Sequence, residues 1–580
     1  MLQNCCNSFR PKINCCPRVV PRAPNMTALM VENGSVIPNS RAVGTAEIQL
    51  PGVPNTAVSV QVTSLVDTEF KPMNQTHSLT TDAEGFLQIP MLPETRWSRF
   101  TLRFSNNGQA AVIQCYSEMG TKNIWDETLP LRAALLRSNR FAIDASAFDH
   151  QPAPISAREQ IGPVKAARAI AIFQLSVFEA INSITQLYPS KFAVLPVNAT
   201  ASKEAAVAQA THDSLLSVFP SQAARLATEL AANLATVPDG AAKTAGIAAG
   251  AAAAAKVVAA RATDGAPPPG TPEESYADYV ARVYGANPIP LGDWTQDPVS
   301  QFPPAMGSKW GTEVQPFVIP SASTYRCPPL PALNSQTFAD AFSEAKALGG
   351  DPNAALTPTT APTSTVRSED AEYVGIYFAY DGTNLLCAPS RLYNQIATQL
   401  GTENGLPVLE FARMLAVLNA TMSDAGLSAW ESKYYYKFWR PVTAIRNPLL
   451  VNPDIATNPT WTPLGAPNSN SFGPNFTPPF PSYPSGHGTF GGAVFQVLRA
   501  FLGGDEIPFT FLSEEFNGIT LDNHGVPRPY KPRSFYRLSQ AEEENGQSRI
   551  YLGIHWNFDK TTAINMGNAI ADDVLANLYV

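Results

Sequence analysis

The chain has 580 residues, 44% of them hydrophobic, which is enough for more than one domain with its own core. Forty Lys and Arg against 48 Asp and Glu leave a formal net charge of -8. No global positive field therefore draws in nucleic acid or an anionic membrane, and any anion site has to be local.

Residues 1–40 read as a Cys- and Pro-containing N-terminal tail. Cys5, Cys6, Cys15 and Cys16 form two adjacent pairs. Adjacent thiols converge poorly on one metal ion and no histidine lies nearby, which leaves a disulfide, within or between subunits, or an inert tail open. The tail also lacks an apolar core of the length a conventional secretory signal needs, so the compartment stays undetermined. From 41 to 120 the apolar residues alternate, as in Val58, Val60 and Val62 or Phe100, Leu102 and Phe104, with a turn signal at Asp82 to Gly85. This predicts antiparallel strands in a small β-sandwich.

Residues 121–580 change to helical periodicity, clearest over 166–184, 204–235 and 241–262, and predict a mainly α chain with a helical bundle. The alanine-rich stretch 247–260 carries Lys256 and reads as a packed helix, so no membrane span is expected. Pro-rich stretches at 266–272, 287–334, 351–365 and 447–484 interrupt the helices, and loops of that length usually cover a site or form interface arms. No internal repeat is visible.

Three segments near the C-terminal end carry chemistry. Lys433, Lys437 and Arg440 recur at i, i+4 and i+7, the spacing of one helical face, with Pro441 where that helix should end or kink. On its own such a stripe is more often a solvated basic face. In Pro484-Ser485-Gly486-His487, upstream prolines oppose helix and the apolar run 493–502 favours it, so Ser485 and Gly486 fall near a helix N-terminus. There free amides and the helix dipole favour an anion, although a plain N-cap fits the same residues. In the third segment Arg549 and His555 are six residues apart, about 240° around an ideal helix, and can share a site only if the helix breaks between them. Gly553 is the obvious break, and Asp559 is placed to orient the His555 imidazole. A lone histidine here would more often be a packed core residue.

Together these segments fill every position of K-x6-R-P, P-S-G-H and S-R-x3-G-x-H-x3-D. The set resembles the vanadium-dependent haloperoxidases and the related type-2 phosphatidic acid phosphatases. Phe480 and Trp430 resemble aromatic positions on the halide side of the site in the fungal chloroperoxidase branch, and Tyr380-Asp381-Gly382 resembles the segment whose aspartate pairs with the third-motif arginine, here Arg549.

The resemblance implies vanadate as prosthetic group, with His555 as its protein ligand. Lys433, Arg440, Ser485, Gly486 and Arg549 would bind its oxygens, His487 would act as acid and base, and Lys433 would polarise bound peroxide. The implied partners are hydrogen peroxide, a halide (bromide, with chloride as the harder case) and an organic acceptor, in a homo-oligomer. Two alternatives remain at this stage. A phosphatase would use the same cage with a phosphohistidine at His555, and a non-enzymatic oligomer would keep the cage as a vestige.

Overall fold

The computed structural model describes residues 129–302 and 307–580 continuously, together with strand segments between 30 and 116. It divides into two units, 1–137 with 398–411, and 138–397 with 412–580.

In the first unit the strands Met30–Val31, Gln109–Tyr116, Arg99–Asn106, Ala57–Ser64 and Met73–Thr80 lie side by side in that order. Val62 pairs with Leu102, and Leu102 with Ile113, so the alternating runs become neighbouring antiparallel strands of one sheet. A separate antiparallel pair joins Thr45–Gln49 to Phe86–Pro90. Among its described residues this unit thus has a five-stranded sheet and a two-stranded pair. Met30–Val31 lies within the stretch read as a tail, and it runs parallel to its neighbour instead of antiparallel. The four paired N-terminal cysteines lie outside the described residues.

The second unit is helical, as the periodicity predicts. Helix Pro163–Thr185 is buried almost throughout. Helix Ala241–Arg261 is the one described helix long and apolar enough to cross a membrane by length and composition, with a mean hydropathy of 1.2. It buries one side only, and there a Cβ on Gly246 would lie 2.2 Å from the Ser202 carbonyl and one on Gly250 2.3 Å from that of Ala206. The small residues therefore serve a close helix contact with Lys203–Val218.

Helices Gly486–Leu502, Leu538–Tyr551 and Asn557–Asn577 pack together near the end of the chain. The Pro-rich stretch before them is an ordered covering. The backbone N–H groups of Leu464, Gly465 and Ser482 donate to the carbonyls of Gly349, Leu552 and Phe438, and Phe476 pairs with Ala466.

Candidate oxyanion site

Ser485 caps helix Gly486–Leu502, its Oγ accepting the Gly488 N–H at 3.2 Å. Gly486 is thus the first helical residue, and the leading amides of the helix have no partner within it.

The expected cationic stripe takes a different form. The helix Val408–Tyr436 carries Lys433 but stops at Tyr436, where Lys437 turns left-handed (φ 50°). Arg440 is extended, as a residue before proline prefers, and caps the short helix Pro441–Ile445. Lys433 and Arg440 therefore both reach the Phe480 ring, 5.3 and 5.2 Å from its centre, across a left-handed turn that 3.6-residue periodicity does not anticipate.

The break after Arg549 falls where the glycine marks it. Helix Leu538–Tyr551 ends in a Schellman turn, in which the Ile554 N–H donates to the Arg549 carbonyl and the Gly553 N–H to that of Ile550. Gly553 sits at φ 71°, and a Cβ on it would lie 2.5 Å from the Gly349 carbonyl oxygen. The chain then re-enters helix at Asn557, and Arg549 and His555 line one cavity.

Hydrogen bonds define the protonation states. His555 Nδ1 lies 2.8 Å from Asp559 Oδ2, which also accepts from Ser482 Oγ and the Trp556 N–H. Nδ1 therefore carries the proton, and Nε2 offers a lone pair 2.9 Å from Arg440 Nη1. Burial, reinforced by Arg440, Lys433 and Arg549, pushes the His555 pKa well below its ordinary value. Burial also raises the Asp559 carboxyl to about 6, against the pull of Ser482 and Lys433. His487 donates Nε2–H to the Ala379 carbonyl at 2.6 Å, so its Nδ1 is the basic atom. Burial and then Arg549 hold that ring neutral as well.

The cations are less evenly disposed. Lys433 Nζ donates to the carbonyls of Pro481 (2.9 Å), Ser482 (2.7 Å) and Pro484 (2.5 Å), which uses all three of its N–H groups. It anchors the loop before helix Gly486–Leu502, and to bond to any ligand in the cavity it would have to release one carbonyl. Arg549 Nη2 binds both oxygens of Asp381, at 2.7 and 2.8 Å. Arg440 donates to the carbonyls of Phe480 and Ile554. Among the described residues Arg440 Nη2 and Arg549 Nε and Nη1 are buried without any hydrogen-bond partner.

Gly486, His487, Arg549, His555, Asp381, Trp430 and Phe480 line the same cavity. Ser485, Lys433, Arg440 and Asp559 are buried around them. The Trp430 and Phe480 rings are 4.8 Å apart, and Lys433 Nζ lies 5.6 and 5.3 Å from their centres. Residues that motif reading missed steady the site. Tyr393 Oη and Asn545 Nδ2 donate to the His487 carbonyl at 3.1 and 2.9 Å, and Ser482 holds Asp559. Ser482 could have been suspected from its place in Pro481-Ser482-Tyr483-Pro484, whereas Tyr393 lies too far away in sequence to signal a role.

Among the described residues Lys433, Arg440 and Arg549 are buried with Asp381 and Asp559 as the carboxylates beside them, and burial followed by the neighbouring Arg440 pushes the Lys433 ammonium well below its ordinary value, so the cluster lacks negative charge. Three orphaned guanidinium nitrogens, helix-leading amides and a neutral imidazole match the needs of a tetrahedral oxyanion. Among the described residues no group of three or more His, Cys, Asp or Glu is placed to hold a metal cation.

Residues 413–579 match the family model described as the VCPO second helical-bundle domain. Over 262 residues the chain is 37% identical to vanadium chloroperoxidase of Curvularia inaequalis, covering 39% of this chain and 41% of that protein. The chain thus spans less than half the length of that relative. Among solved structures, a bacterial vanadium-dependent iodoperoxidase superposes with a TM-score of 0.56 at 19% identity, over 77% of this chain and 96% of its own. A holo-type bacterial vanadium-dependent chloroperoxidase does so at 0.51 and 16%, over 74% and 94%. At these identities the two structures establish a shared fold.

Proposed function

We propose, from the premise that residues 413–579 carry the VCPO second helical-bundle domain, that this chain is a vanadate-dependent haloperoxidase. It would use hydrogen peroxide to oxidise halide to hypohalous acid, which halogenates an organic acceptor. The observation that carries this reading is the set of buried, unpartnered guanidinium nitrogens of Arg440 and Arg549 beside the neutral Nε2 of His555.

His555 Nε2 would be the ligand atom for the oxyanion's centre, with Asp559 keeping the proton on Nδ1. Arg440, Arg549, Ser485 and the Gly486 amide take the oxygens, with Lys433 contributing charge and, after release of one carbonyl, a hydrogen bond toward peroxide. Bound vanadate supplies Lewis-acid activation of peroxide at constant oxidation state. His487 Nδ1, basic because Nε2–H is tied to Ala379, would accept a proton from hydrogen peroxide and hold it for return to departing hydroxide. Trp430 and Phe480 form an apolar wall that limits water beside the reacting oxygen and strengthens the field on it.

Bromide oxidation is the primary activity of this reading, and chloride oxidation follows only if the aromatic wall raises the oxidising power of the site sufficiently. The test is vanadium analysis of protein reconstituted with vanadate, combined with peroxide-dependent dye bromination and, in parallel, hydrolysis of p-nitrophenyl phosphate without vanadate. One vanadium per chain with bromination supports the proposal. Efficient phosphate-ester hydrolysis with no bromination would replace it by the phosphatase reading.

A further inference from the structure

Beyond the oxyanion end, the cavity is lined by residues that the cage does not use. One part is aromatic: the rings of Phe302 and Phe476 stack with centroids 4.3 Å apart and planes 14° apart, and Phe302 is 37% exposed. Another is the segment that supplies Arg158, Ile161 and Pro163.

That segment is held from several directions. Asp149, fully buried at the end of helix Leu129–Asp149, accepts from Ser156 Oγ (3.1 Å) and from the backbone N–H groups of Glu159 (2.8 Å) and Gln160 (2.6 Å). His150 donates Nδ1–H to the Ser146 carbonyl at 2.7 Å, which leaves Nε2 to accept the Gly162 N–H at 3.1 Å. Between these anchors Arg158 takes a left-handed backbone (φ 57°), its N–H donating to Ser156 Oγ at 3.0 Å. A non-glycine residue in that region costs free energy and persists only where its surroundings over-determine it. The guanidinium so placed is half-buried and has no ion pair among the described residues. Its one hydrogen bond, from Nη1 to the Gln151 carbonyl, is long at 3.4 Å.

A cation without a carboxylate, set into a cavity with an open aromatic ring, is complementary to a flat molecule with an anionic end. We propose that the outer cavity is a binding subsite for an aromatic carboxylate, its carboxylate on Arg158 and its ring against Phe302, and that this molecule is the halogen acceptor. The role as acceptor rests on the haloperoxidase reading, in which peroxide is the oxidant. A ring carbon takes the halogen as the halogen–oxygen bond of hypohalous acid breaks, and the displaced ring proton joins the released hydroxide as water.

The test separates the subsite from the activity. 4-Hydroxybenzoate is titrated calorimetrically into protein free of vanadate, peroxide and halide, with saturating inorganic phosphate filling the cage. Saturable binding is expected, weakened about tenfold in Arg158→Gln, the effect of one charge-assisted hydrogen bond, and also weakened in Phe302→Ala. The uncharged 4-hydroxybenzamide should bind more weakly and be indifferent to Arg158→Gln, with circular dichroism showing that each variant is folded. Absence of binding under phosphate, or equal affinity in wild type and Arg158→Gln, would overturn the subsite. Bromination of phenol by a protein that does not bind the benzoate would keep the haloperoxidase reading and discard this one, whereas benzoate binding without any bromination would do the reverse for the acceptor role.

Discussion

The substitution Gly553→Ala probes the turn that brings Arg549 and His555 into one cavity. An alanine at φ 71° carries left-handed strain of about 1–2 kcal/mol. Its Cβ would also lie 2.5 Å from the Gly349 carbonyl oxygen, which accepts the Leu464 N–H at 2.8 Å. Moving that carbonyl weakens a buried hydrogen bond worth about 1 kcal/mol, so the total cost is about 2–3 kcal/mol. Gly503 provides the control, because it ends helix Gly486–Leu502 at φ 84° with nothing within 4 Å of its would-be Cβ. Gly503→Ala therefore carries the backbone strain alone, about 1–2 kcal/mol, and leaves the cage untouched. Urea unfolding of both variants gives the stability difference, and phosphate titration gives the binding cost. Gly553→Ala should weaken anion binding at least about tenfold by displacing His555 from Arg549, since small misplacements within a positioned site are costly. Equal destabilisation by the two substitutions, with unchanged phosphate affinity in Gly553→Ala, would refute the argument that this turn is sterically fixed and assembles the site.

His555→Ala should abolish retention of vanadate through gel filtration, measured by elemental analysis; full stoichiometry would remove His555 as ligand. His487→Ala should retain vanadate yet lose on the order of a hundredfold in bromide turnover, the usual worth of a positioned acid–base group. In the anion-free protein His487 and His555 are both held neutral below the pH at which the unfolded chain protonates them. For these two rings the unfolded state then binds more protons, so their contribution to stability should fall as pH drops below about 6.5, the ordinary histidine value, while Asp559 (about 6) and Glu515 (about 7), which take up protons first in the folded chain, act in the opposite direction. The readout is therefore the difference in urea midpoints between wild type and His487→Ala from pH 7.5 to 5, and an unchanged pH dependence in the variant would contradict neutral burial of that ring. Light scattering in solution tests the expected homo-oligomer, with a monomer at micromolar concentration as the refuting result.

The cage was legible because each of its parts is local. Prolines followed by Ser485-Gly486 announce a helix start, and a glycine between two functional residues announces a break, since both effects are decided within a turn of chain. The stripe through Lys433, Lys437 and Arg440 was misread for a related reason. Periodicity assumes that the helix continues, and the left-handed Lys437 stops it. Likewise, the composition of residues 447–484 pointed to a loop and the resemblance singled out Phe480, but only the structure shows Phe476 lining the same cavity. The N-terminal strands illustrate the same limit, since alternation identified strands but not their pairing order, which depends on partners distant in sequence.

What local reading could not supply is how one distant segment serves two parts of the site. The Ala379 carbonyl receives the His487 ring, and Asp381 receives Arg549. Between them Tyr380 is left-handed at φ 44°. Its Oη accepts the Glu514 N–H at 2.7 Å, and its own N–H points to the carboxylate of Glu515, 3.4 Å away. Glu515 is itself buried with Ser469 Oγ and Arg528 Nη1, each at 2.7 Å. Neither Glu514 nor Glu515 touches the cage, and neither belongs to its motifs. Yet the orientation of the His487 imidazole and that of the Arg549 guanidinium both pass through residues 379–381. Strain at Tyr380 is tolerated because these contacts over-determine it, and a backbone so constrained can keep two side chains from different helices in fixed relation. The motifs therefore name the groups gathered around the cavity, and residues far from them in sequence set the geometry in which those groups are held.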